Sequence, residues 1–140
     1  MTRLPVVVFA AIVTLCASCA TQGQRRVSFT ATKEQFEPND SIVIQEVLST
    51  SGDLRMGDAV VVRGEYQLAS RPEAALCLFI TTRGPSGRTP VSAKQKVVVK
   101  AGSGTFELQH EIGYAGALHV SFYPLPSGSS FGGVYFGETK

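Results

Sequence analysis

The sequence predicts an all-β domain in which two antiparallel sheets pack face to face. Three observations lead there. Short apolar or alternating runs rich in Val, Ile, Phe and Tyr recur along the chain, clusters of Gly, Pro, Asn, Asp and Ser separate them, and no segment keeps a helical period. At 140 residues, the chain has room for one ordinary domain once its N-terminal segment is set aside. A charged fraction of 17% against 44% hydrophobic residues excludes a solvating disordered tail and allows a packed core.

The expected strands cover 27–32, 41–49, 59–69, 74–82, 94–100, 105–112, 117–123 and 134–137. Turn signals stand between them at Pro38-Asn39-Asp40, Ser51-Gly52-Asp53, Gly84-Pro85-Ser86-Gly87, Gly102-Ser103-Gly104 and Pro126-Ser127-Gly128. Alternation assigns the core. In the third strand Val60, Val62, Tyr66 and Leu68 share one face, and Val61, Arg63, Glu65 and Gln67 should meet water. In the sixth, Phe106, Leu108 and Ile112 point inward, opposite Glu107, Gln109 and Glu111, with His110 ending the buried face. In the seventh, Leu118, Val120 and Phe122 point inward, which places His119, Ser121 and Tyr123 outside and His119 partly exposed. Lys94, Lys96 and Lys100 share a face of the fifth strand, a placement that blocks pairing at a sheet edge. Strands at this spacing resemble immunoglobulin-like sandwiches in general, with a small β-barrel as the alternative.

The first residues carry one charge, Arg3, followed by the apolar run from Leu4 to Leu15, short for a bilayer span and suited to an export signal. Cys16-Ala17-Ser18-Cys19 follows it. This resembles the lipobox of bacterial lipoproteins, in which small residues precede the modified cysteine. The resemblance covers residues 1–20 and implies that Cys19 accepts a lipid and becomes the new N-terminus. It divides the chain into a signal peptide (1–18), a lipidated N-terminus with a short polar tether (19–26) and a β-domain (27–140). It also implies a cell-envelope protein whose membrane partner is reached through the N-terminal lipid. Ala20, where an aspartate would signal retention in the inner membrane, implies the outer membrane if the organism has one. Cys16 departs from the usual leucine at its position, and Leu15 is too bulky to precede the modified residue itself.

With one cysteine discarded and one lipidated, Cys77 alone remains in the domain and has no partner for an intramolecular disulfide. Its apolar surroundings, Ala74 to Ile80, predict a buried thiol.

The residues that could carry chemistry are sparse. Gly128-Ser129-Ser130-Phe131-Gly132 matches the G-x-S-x-G elbow of serine hydrolases, but no histidine follows it and the chain around it reads as a loop entering a strand. His110 and His119 have no metal-binding spacing, and Asp40, Asp53 and Asp58 sit beside turns where carboxylates cap backbone groups. Neither a metal nor a cofactor is expected. The lysines lack interleaved aromatics, and a net charge of +2 implies no nucleic-acid partner. The densest feature is the aromatic and glycine-rich stretch 121–137. Tyr123, Ser130, Phe131 and Tyr135 are its candidate binding residues for a glycan or another envelope protein, although a hairpin with inward aromatics is the preferred reading. The sequence thus points to a non-catalytic binding or structural module, with a small envelope hydrolase acting on cell-wall glycans or peptides as the alternative.

Overall fold

The computed structural model describes residues 23–33, 35–81 and 93–139. The proposed signal, Cys19 and the turn at 84–87 lie outside them. Every regular element among the described residues is a β-strand: β1 (Arg25–Arg26), β2 (Phe29–Lys33), β3 (Ser41–Ser49), β4 (Ala59–Thr81), β5 (Lys96–Glu111), β6 (Ala117–Tyr123) and β7 (Gly132–Glu138). The strands form one strongly curled antiparallel sheet in the order β1-β3-β4-β6-β7-β2, with β5 pairing β4.

The two longest strands explain the curl. β4 fuses the expected third and fourth strands, and β5 fuses the fifth and sixth. The glycine signal at 102–104 is therefore realised as a corner and not as a turn. Gly102, at φ +112°, pairs with Leu68 just before the ladder shifts register between Leu68 and Glu73. The shift lets both strands bend without parting. Asp40 holds the bend. Its Oδ1 accepts from the Ala69 and Ser70 amides at 2.7 and 3.0 Å, and its Oδ2 from the Ser70 hydroxyl at 2.5 Å. Before the corner, β4 pairs with β3; beyond it, with β6.

β1 and β2, the two ends of this strand path, are nearly consecutive in sequence. β1 pairs with β3 and β2 with β7, so Val27 and Ser28 step across the seam between opposite edges. The buried Val27 donates its amide to Val47 O at 2.9 Å, and Ser28 O accepts from the Thr139 amide at 3.0 Å. On the outer face a ladder of charge crosses four strands: Arg26 to Glu46 (2.6 Å), Glu46 to Arg63 (2.9 Å) and Arg63 to Glu107 (2.7 Å). Arg26 and then Arg63 hold the Glu46 carboxyl below its usual range. These are surface pairs, which contribute little stability individually.

The core joins both sides of the corner, with Val60, Val62 and Leu68 from the first half of β4 and Ala74, Leu76, Leu78 and Ile80 from the second. Phe106, Leu108, Ile112, Leu118, Val120 and Phe122 are buried as the alternation requires. Two assignments need correction. Val61 is buried on the supposedly wet face, in a cross-strand row with Arg26, Leu48 and Gln109. Long side chains cover such a position with their apolar stems. His119 and Ser121 are also buried on the outer face, 6% and 1% exposed; the rings of Phe79 and Tyr135 flank His119, and Ser121 is hydrogen-bonded to its imidazole.

Candidate functional site

The expected binding residues do not converge. Ser130 is exposed in the segment between β6 and β7. Phe131 is half-buried and stacks on Phe122, with centroids 5.6 Å apart and planes 12° from parallel, while the Arg71 guanidinium lies 3.9 Å from its other face. Tyr123 and Tyr135 point the opposite way, because adjacent residues in β6 and β7 face opposite sides of the sheet. The hairpin preferred from the sequence is present, with Leu118 opposite Phe136 through Phe122 opposite Gly132. Gly128 to Gly132 leads into β7 and no helix follows, so the local geometry of a nucleophile elbow is missing there.

Tyr123 and Tyr135 instead belong to an outer aromatic cluster with Phe79 and His119. Tyr135 lies 4.9 Å from His119, Phe79 lies 6.2 Å from His119, and Phe79 meets Tyr123 edge-on at 5.4 Å. His119 Nε2 is 2.9 Å from Thr81 Oγ1, and its Nδ1 is 2.8 Å from Ser121 Oγ. A neutral imidazole satisfies both hydroxyls, donating through one nitrogen and accepting through the other. Burial pushes the His119 pKa down to about 4. Gly133 makes room for this arrangement, since a Cβ there would come within 2.1 Å of Ser121 Oγ. Cys77, opposite Ser121 in the ladder, is buried, and burial pushes its thiol up to about 11 against a weaker opposing effect of Lys96. Such a thiol stays protonated at neutral pH. The sequence placed His119 at the surface because period-2 alternation separates faces, not exposures.

Asp58 is structural. Asp58 Oδ2 accepts from Ser51 Oγ at 2.7 Å and from the Arg55 amide at 3.0 Å, bonds that hold its carboxyl below the usual range and brace loop 50–58. Among the described residues no three His, Cys, Asp or Glu side chains are placed to share a metal ion.

One apolar-lined opening was missed by sequence reasoning. At the end of the curled sheet beside loop 50–58 lies a cleft of about 650 Å³. Ile80, Ile112, Leu118 and Phe136 reach it from the core. Leu54, Arg55 and Met56 form one wall, and Tyr114, Ala115 and Gly116 another. Tyr114 donates its hydroxyl to Ile80 O at 3.1 Å and so fixes the second wall. Met56 is 67% exposed. The available signals were a methionine at a loop tip and the uncharged loop Gly113-Tyr114-Ala115-Gly116. Their meeting depends on the curl, which neither segment encodes.

A second, more polar depression lies between Gln35, Phe36 and Glu37 on one side and Ser130, Phe131 and Gly132 on the other. No family model matches the chain, and comparisons with curated proteins and with solved structures find no similar protein.

Proposed function

We propose that this chain is an envelope lipoprotein, anchored through Cys19, that acts as a non-catalytic binding module and takes an apolar ligand in the cleft between loops 50–58 and 113–116. The curled sheet is read as a sandwich of the immunoglobulin-like kind, a reading supported by the single core to which both halves of β4 contribute. The cleft carries the functional reading. Its volume lies within the range of small-molecule pockets, and the open end of a curled sheet is where such pockets commonly form. Two experiments test the parts separately. Cys19→Ala abolishes incorporation of a fatty-acid analogue and blocks maturation; continued labelling of that variant, with loss in Cys16→Ala, would move the anchor to Cys16. Ala115→Arg, at an exposed position in the cleft wall, weakens binding of a fluorescent polyene fatty acid by about tenfold, or about 1.4 kcal/mol. Equal binding by both proteins would remove the cleft from the function.

One observation bears on the hydrolase alternative, which is the contact of Ser121 with His119. The third member of that relay is a threonine hydroxyl, which cannot stabilise an imidazolium as a carboxylate does. An imidazole with a pKa of about 4 is also a weak general base at neutral pH. The pair is better explained as buried polar groups satisfying one another.

A further inference from the structure

We propose that the end of the domain bearing the cleft lies against the membrane and that the cleft takes an acyl chain of a bilayer lipid. The inference deepens the binding reading and rests on the anchor at Cys19. It begins from the direction of the first strand. β3 runs toward loop 50–58 and ends at Ser49, where it pairs with Arg25; β1 is antiparallel and therefore runs away from that loop. The chain thus enters the domain at the end where the cleft opens. Arg25 is packed against this loop, so that a Cβ on Gly52 would come within 3.3 Å of Arg25 Cβ. Leu54, two residues on, lines the cleft.

Length then limits the distance to the membrane. Between Cys19 and Arg25 the chain spans about 20 Å even when fully extended. The opposite end of the sheet, with the turn at Asn39 and the β6–β7 connection, lies a further strand length away.

The chemistry of the near end fits the same occupant. Met56 stands exposed at the tip of one wall, and the facing loop presents Gly113, Ala115 and Gly116 without a charged residue. Two of the acids at this rim have partners in the protein, since Asp53 Oδ2 contacts the Arg55 guanidinium at 2.5 Å and Glu138 accepts from the Leu54 amide, while Glu111 at the end of β5 is exposed. Arg25 stands exposed where the chain enters beside the apolar opening, and Arg55 keeps its pairing with Asp53, an arrangement that suits a lipid whose tail enters the cleft and whose phosphate stays at the rim near Arg25.

The chain contains no tryptophan, so one introduced at the cleft is a unique reporter. The full-length lipidated protein carrying Met56→Trp is reconstituted in vesicles of phosphatidylethanolamine and phosphatidylglycerol doped with phosphatidylcholine brominated on its acyl chains. Its emission falls about twofold, as contact with the acyl region requires, whereas that of Ser127→Trp at the opposite end is unchanged. Ala115→Trp, on the other wall, repeats the Met56→Trp result and guards against a local effect of one substitution. Flotation of each protein with the vesicles is measured alongside. Flotation with unquenched emission at both walls overturns the inference and leaves the anchor standing. Blue-shifted but unquenched emission at the walls assigns the cleft to the protein's own acyl chain or another apolar occupant and likewise overturns it. Failure to float overturns the anchor reading and this inference with it.

Discussion

Phe122→Ala lowers the free energy of unfolding by about 4 kcal/mol, within the range for truncating a buried phenylalanine. Phe122 is fully buried and is met by three rings: Phe36 and Tyr66 edge-on, with centroids 6.4 and 6.5 Å away, and Phe131 stacked at 5.6 Å. These rings come from the 35–37 connection, from β4 before its corner and from the segment preceding β7, so the lost side chain joins parts distant in sequence. A shortfall of that size moves the thermal midpoint down by on the order of 15–25 °C, and it is a large share of a typical domain's stability. Phe131→Ala, removing a half-buried ring whose outer face carries Arg71, costs about 1–2 kcal/mol by the same area argument. Calorimetry of both variants checks the ranking. Equal losses would mean that Phe131 is as much a part of the core as Phe122.

The second large effect is a loss of stability in mild acid. The His119 pKa is about 4 in the folded protein, against an ordinary value of 6.5, because burial disfavours the charged ring. Above pH 6.5 the ring is neutral in both states, and the folded form has its full advantage. As pH falls from 6.5 to 4, the unfolded chain takes up a proton that the folded protein refuses, and stability falls. At about 1.4 kcal/mol per pH unit the gap corresponds to about 3 kcal/mol. His110 is shifted in the same direction, also by burial, so the informative quantity is a difference between proteins. His119→Asn loses about 3 kcal/mol less than the unmodified protein between pH 7 and pH 4 in urea unfolding. Parallel stability curves for the two would show that His119 titrates normally in the folded protein.

How far the sequence was legible can be followed along β4 and β6. Alternation placed Val60, Val62, Leu68, Leu118, Val120 and Phe122 on the core side, since that pattern is a local consequence of strand geometry. The bounds of β3 and β6 agree with those expected from the sequence. Legibility ended where a local signal has two outcomes. Gly102-Ser103-Gly104 reads as a turn and the third and fourth expected strands part between Ala69 and Ala74, yet both places are the two sides of one corner with a register shift, and the eight expected strands are seven among the described residues, with a short first one. Burial on the outer face escaped for a related reason. Val61 and His119 are buried by neighbours supplied from other strands, and strand order is not written in the spacing of residues. The aromatic stretch at 121–137 was correctly read as a hairpin, but its four candidate binding residues are divided between two faces. The cleft needs loops 50–58 and 113–116 to meet, and only the curled sheet brings them together.

The step of Val27 and Ser28 across the seam gives the domain a mechanical character. A pull applied at Gly23 in line with the first strand acts along β1, whose bonds to β3 run across the strand direction. The Arg25 and Arg26 pairings and the Val27 bond to Val47 then resist together in shear, and are not unzipped one after another. The chain continues into β2 on the opposite edge, so the load that escapes the first attachment passes to β7 through a ladder of five residue pairs. Tension at the N-terminus therefore meets two attachments in turn, the first on β3 and the second, longer one on β7.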